Sequence, residues 1–208
     1  MTQTLAGLNE HGILLATDSR ATRFDATGHM EVFTVNKLFS LDSRTAILSG
    51  GAGVSVPLSL ALRQQIMRHP GALLFEELVE FALPFLSRGY ERHLEAHGPE
   101  AEGLRRIYFI LAGYDPDSPP PQFAMALLGS EENELPLQQI QIGNAVVMPR
   151  NLGMEMRLFK ALNRNADLAE ILDLSRNFLE NMAAANQEVG PPFRFAVITS
   201  KGYQPIIL

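Results

Sequence analysis

Short apolar runs separated by polar turns dominate the first fifty residues. Thr4 to Leu8 and Ile13 to Ala16 are two such runs, and Asn9-Glu10-His11-Gly12 between them carries turn residues, so the chain opens on a predicted β-hairpin. Arg20 to Glu31 is polar, contains Asp25, Thr27 and Gly28, and reads as a loop. Lys37 to Leu41 and Thr45 to Leu48 predict a second hairpin about Asp42-Ser43-Arg44. Ser49-Gly50-Gly51-Ala52-Gly53 follows, a run of small residues whose backbone can approach a ligand closely. The period then changes to that of helices. Ser55 is the expected cap of a helix reaching about His69, with Pro57 tolerated in its first turn, and a second helix runs from about Ala72 to Ala96 with a kink expected at Pro84.

Strand patterns return at Ile107 to Gly113, Gln122 to Leu128 and Gln138 to Ile142, with a tight Pro-rich connection at Asp115 to Pro121. Two further helices are expected at Met154 to Asn163 and at Leu168 to Ala185, the latter capped by Asp167. Phe193 to Thr199 and Tyr203 to Leu208 form a last hairpin about Lys201-Gly202. Strands, two helices, strands, two helices, strands is the order of an α+β protein with antiparallel sheets and helices stacked outside them, not of alternating βαβ units. Neither an internal repeat nor an interdomain linker interrupts the pattern, so residues 1–208 read as one domain.

Composition narrows the function classes. Hydrophobic residues make up 46% and charged residues 19% of the chain, an ordinary balance for a soluble globule. The absence of cysteine excludes disulfides and thiolate metal sites and favours a reducing compartment. A net charge of −6 leaves no basic surplus for the phosphates of a nucleic acid. The start, Met1 to Gly12, has neither a basic n-region nor an apolar h-region, and no run reaches the ~18 apolar residues of a membrane span. A cytoplasmic location follows as the expectation. His93 and His97 stand at i, i+4 around Glu95, a spacing that can hold a metal but is not H-E-x-x-H, and a solvated helix end explains it better; no metal or cofactor is expected.

Four motifs in the first fifty residues carry a resemblance. Thr2-Gln3-Thr4-Leu5-Ala6 is followed by His11-Gly12-Ile13-Leu14-Leu15-Ala16-Thr17-Asp18-Ser19-Arg20-Ala21-Thr22, then by Asn36-Lys37-Leu38-Phe39 and Ser49-Gly50-Gly51-Ala52. This resembles the opening of catalytic proteasome β subunits: a leading Thr, a short strand, a Gly turn, an A-x-D-S-R-A-T motif, a Lys strand and a Gly-Gly turn before the first helix. Leu111-Ala112-Gly113-Tyr114-Asp115 and the end, Ala196 to Thr199 with Lys201-Gly202-Tyr203, are similar to later strands of the same family. The resemblance implies a four-layer αββα sandwich of the N-terminal-nucleophile (Ntn) hydrolase type. It also implies a threonine peptidase acting on peptide or unfolded protein inside a self-assembling homo-oligomeric ring, without naming an unfoldase partner. A bacterial homomeric relative fits best, because no long propeptide or tail is present.

The chemistry the resemblance implies is coherent. A Thr hydroxyl is a weak nucleophile that needs an adjacent base. Removal of Met1 makes Thr2 the first residue, and its α-amine, with a reference pKa of roughly 7.7–8.0, can then serve as that base. Lys37 lowers the pKa of that amine and orients the hydroxyl, Asp18 fixes Lys37, and the Gly50 N–H donates to the oxyanion. Gly50 is preferred over Gly51 because S-G-G-A then aligns with the family's A-G-G-A, at the cost of one loop residue. Taken singly these residues are ordinary. Thr2 is a chain end, Asp18 a turn former, Lys37 a solvated strand residue and Gly50-Gly51 a tight strand-to-helix turn.

Departures from the family pattern oppose the catalytic reading. Gly143-Asn144-Ala145-Val146 stands where the family has G-S-G-S, so a supporting Ser becomes Asn144 or is lost. Counting back from Ala196 puts Asn186 at a supporting Asp and Val189 at a supporting Ser, with Gly190-Pro191 in place of Gly-Gly. Two other functions therefore stay open: a non-catalytic ring or scaffold subunit that keeps the fold, and a small-amide Ntn hydrolase.

Overall fold

The computed structural model describes residues 2–24, 29–98 and 106–207. Met1, the loop residues Asp25, Thr27 and Gly28, and the terminal Leu208 lie outside the described residues. Among the described residues the chain is a mixed α/β protein with twelve strands and four helices, and its three sheets are antiparallel.

The opening hairpin forms as its pattern predicts. β1 (Thr4–Asn9) and β2 (Gly12–Thr17) pair from Thr4↔Thr17 to Asn9↔Gly12. Both strands are almost wholly buried, which is why they read as continuous apolar runs and not as alternating ones. Gly12 closes the turn at φ 137°, and a Cβ there would run into the Ile198 carbonyl. β10 (Ala145–Met148) flanks β1, while β11 (Arg194–Thr199) and β12 (Gly202–Ile206) continue beyond β2, giving the order β10-β1-β2-β11-β12. A second five-stranded sheet runs β5 (Leu38–Ser40), β6 (Thr45–Gly51), β7 (Ile107–Tyr114), β8 (Phe123–Ser130), β9 (Gln138–Ile140).

Three apolar clusters account for the packing. One joins α1 (Ser55–Arg68) and α2 (Phe75–His97) to the second sheet through Leu62, Leu86, Ile47 and Phe109. Another contains inward residues of both sheets, with Ala6, Ile13 and Ile198 from the first and Leu48, Tyr108 and Ile110 from the second. The last joins the first sheet to α3 (Leu152–Asn163) and α4 (Leu168–Ala185) through Leu5, Leu14, Leu158 and Leu179. Successive residues of one strand enter different clusters, as Leu5 and Ala6 do, because side chains alternate across a sheet.

Several local expectations need correction. The polar stretch after Asp18 is not a plain loop: β3 (Arg20–Phe24) and β4 (Met30–Thr34) pair from Arg20↔Thr34 to Phe24↔Met30. β4 is solvated, so no burial pattern marks it in the sequence. β10 is a strand that the hydrophobic pattern did not single out. Ser55 is the first residue of α1 and not its cap; Val54 precedes it without a side-chain cap, and the Ser55 N–H is satisfied by Ala52 O at 3.0 Å. α2 starts at Phe75, not Ala72, where the Leu74 N–H donates to Glu77 Oε2 at 2.8 Å. α3 starts at Leu152, two residues early, because Asn151 caps it by accepting from Met154 N at 3.0 Å. Asp167 caps α4 as expected, accepting from Glu170 N at 2.8 Å.

Candidate functional site

Asp18 follows β2 directly and has no solvent exposure. A buried carboxylate must fill its lone pairs, and every partner of Asp18 comes from a different segment. Oδ1 accepts from Gln3 N at 3.0 Å and from Lys37 Nζ at 2.9 Å. Oδ2 accepts from Arg20 N at 3.0 Å and from Gly190 N at 3.4 Å. Its backbone N–H donates to Gln3 O at 3.2 Å. The start of the chain, the segment leading into β5 and the turn after α4 thus converge on one side chain.

Lys37 is 2% exposed. Its ammonium donates to Asp18 Oδ1 and to Arg20 O, the latter at 2.6 Å. Burial pushes its pKa below the ordinary 10.5, and the attraction of Asp18 together with their hydrogen bond opposes that push. The sequence expectation that Asp18 and Lys37 form a pair is met at 2.9 Å. Thr2 is half-buried and adjoins this pair, because the next amide, Gln3 N, shares Oδ1 with the Lys37 ammonium.

Gly50 lies near the end of β6, opposite Tyr108 in β7. The neighbouring Ser49 N–H donates to Lys37 O at 3.0 Å. N–H groups alternate sides along a strand, so the Gly50 N–H lies on the β7 side and that of Gly51, at φ 84°, on the β5 side. A Cβ on Gly50 would overlap the ring and hydroxyl of Tyr108. That hydroxyl, with its single proton, lies within donating distance of both Thr2 O and Met148 O, each at 3.3 Å. Tyr108 is 1% exposed, and burial raises its pKa well above the ordinary 10.0, so it keeps its proton.

The supporting positions divide. Asn144 is not beside Thr2: the register Thr4↔Met148 and the bond from Leu8 N to Asn144 O put it at the far end of β1. Met148 and Pro149 occupy the place expected for it, and their carbonyls accept from Gln3 Nε2 at 3.3 and 3.4 Å. Asn186 and Val189 do lie in the turn that reaches the site. Asn186 Oδ1 accepts from Glu188 N at 2.9 Å, Val189 is fully buried, and Arg20 Nη1 donates to Gln187 O at 2.7 Å. His93 and His97 stack at 4.5 Å between ring centroids. Among the described residues no group of three or more His, Asp or Glu is placed to hold a metal, and no helix is long and apolar enough to cross a membrane.

Tyr108 and the Gly190 N–H are members of this site that sequence reasoning did not single out. The signal for Tyr108 is one tyrosine amid the apolar run Ile107 to Ala112, and its meaning depends on a cross-strand partner that only the register supplies. No family model matches the chain, and no curated protein is significantly similar to it.

Proposed function

We propose that this chain is a threonine-type endopeptidase of the proteasome β-subunit kind, acting on peptide or unfolded protein from within a homo-oligomeric ring in the cytoplasm. The observation that carries the reading is the shared carboxylate oxygen. Lys37 Nζ and Gln3 N both lie on Asp18 Oδ1, which sets Thr2 beside a buried cation. The three apolar clusters support a four-layer αββα arrangement, the fold in which such a site is built.

In this mechanism Thr2 is the first residue. Its neutral α-amine takes the proton of its own hydroxyl as the oxygen attacks a substrate carbonyl, and the same group then protonates the leaving amine. Lys37 lowers the amine pKa by its charge, and its burial strengthens that influence. The Gly50 N–H, expected as the oxyanion donor, faces β7, so in this mechanism the Gly51 N–H, on the β5 side with Lys37, takes that role. No step calls for a cofactor.

A non-catalytic scaffold is the second reading, favoured by the fully buried Val189, which offers no hydrogen bond where the resemblance implies a serine. One experiment separates the two. Intact mass is recorded before and after treatment with a peptide epoxyketone, which captures a Thr amine and hydroxyl together. Protein beginning at Thr2 gains one adduct; protein that retains Met1 gains none, because an amide nitrogen is not a base near neutral pH; Thr2→Ala gains none while keeping its thermal midpoint. Absence of an adduct on the form beginning at Thr2 overturns the peptidase reading.

A further inference from the structure

Tyr108 is a buried phenol whose hydroxyl meets two parts of the site that the chain keeps far apart in sequence. Its oxygen lies 3.3 Å from Thr2 O and 3.3 Å from Met148 O. Gly50 stands across from it in the β6–β7 ladder, and the place of the missing Gly50 Cβ is filled by the phenol itself. The Met148 carbonyl also accepts from the Thr4 hydroxyl at 3.2 Å and from Gln3 Nε2 at 3.3 Å, so the first residues are tied to β10 along one edge. Tyr108 ties them to the second sheet through a hydroxyl within reach of Thr2 itself.

We propose that Tyr108 is a positioning residue for the N-terminal nucleophile, its hydroxyl holding the Thr2 carbonyl and fixing the distance between Thr2 and the Gly50 turn. The inference rests on the peptidase reading and deepens it. An N-terminal residue has backbone on one side only, so its amine and hydroxyl swing unless its carbonyl is held. Holding that carbonyl removes the rotation that would carry the hydroxyl off the line of attack, and a misplacement of about 1 Å can cost on the order of a hundredfold in rate. The buried phenol stays protonated across neutral pH, so the clamp does not open with the titration of the amine it positions. Gly50 is then required for a second reason besides close approach of substrate: any side chain there displaces the clamp.

The test compares wild type with Tyr108→Phe, both beginning at Thr2 as verified by intact mass. Inactivation by a peptide epoxyketone is followed to give the maximal rate per titrated site and the half-saturating concentration separately. Amide exchange of Gln3 and Thr4 is measured on the same samples. Tyr108→Phe should lower the maximal rate about tenfold, leave the half-saturating concentration within about twofold, and speed exchange at Gln3 and Thr4 while the centre of β2 stays protected. A purely structural role would lower the number of titrated sites without changing the rate per site. An unchanged rate per site, or unchanged exchange at Gln3 and Thr4, overturns the inference while leaving the peptidase reading standing. A wild type that does not react overturns the peptidase reading and this inference with it.

Discussion

At the scale of residues, the Asp18–Lys37 pair is held by backbone as much as by charge. Asp18 draws on Gln3, Arg20 and Gly190 amides, and Lys37 also donates to Arg20 O. Lys37→Ala therefore removes one partner from a fully buried carboxylate, and the loss should be about 3–5 kcal/mol of stability together with reaction at Thr2. Urea unfolding measures the first and probe labelling the second; a loss under about 1 kcal/mol would contradict burial of the pair. The pH dependence has a definite sign. The folded pKa of Lys37 lies below the unfolded 10.5. Below both values each state holds the proton, and folding carries the cost of burying the charge. Between them the unfolded chain keeps the proton and the folded chain releases it, so the stability linked to Lys37 rises with pH up to 10.5. Tyr108 acts in the opposite sense, since its raised pKa contributes stability below 10.0 that is lost as pH climbs further. Comparing Lys37→Ala with wild type across the alkaline range isolates the lysine part, because Tyr108 is common to both. The gap between them should widen as pH rises toward 10.5.

At the scale of elements, the reach of the sequence depended on whether a segment is buried on a regular period. β1, β2, β6 and β7 are buried on both faces and appeared as apolar runs bounded by turn residues. The helices α3 and α4 followed from apolar stripes and from Asp167. β3 and β4 escaped notice because their pairing is carried by backbone, with Arg20 to Thr22 only half-buried and Glu31 to Thr34 exposed. β10 escaped because Ala145 to Met148 is only four residues long. Asn144, matched to a supporting Ser by the resemblance, lies at the far end of β1 from Thr2. Asp18 and Lys37 were legible because motif order fixed their register, whereas Tyr108 depended on cross-strand pairing that no local pattern encodes. The β1–β2 turn gives a test at this scale. Gly12 combines φ 137° with the Ile198 carbonyl where a Cβ would go, and Ile198 is held in register against Ile13. Gly12→Ala should cost more than about 1 kcal/mol, and thermal unfolding should fall by several degrees, because the clash is with the Ile198 backbone and not with a flexible side chain that could yield. An unchanged midpoint would mean that the hairpin can slide against β11, and with it the end of β2 that positions Asp18.

At the scale of the whole molecule, exposed apolar surface lies on helices packed against different sheets. Leu152, Met156 and Phe159 are exposed at i, i+4 and i+7 along α3, and Leu60 and Met67 are exposed at i and i+7 along α1. In the proposed four-layer arrangement these stripes fall on opposite outer faces, one beyond each sheet. Under the proposed peptidase reading, restriction to unfolded substrate would come from neighbouring copies that wall off the half-buried Thr2. Copies stacked above and below would cover both stripes, which a lone chain leaves in water at an unfavourable ~25 cal/mol per Å². The expected result of light scattering at micromolar concentration is therefore a particle of many chain masses. Phe159→Glu and Met67→Glu, each placing a charge on one stripe, should each reduce that mass without lowering helix content. The reduced particles should still label at Thr2 if the site is complete within one chain, and should gain access to folded substrates that the intact particle refuses. A wild-type monomer at that concentration would remove the ring, and with it the proposed basis for selecting unfolded protein.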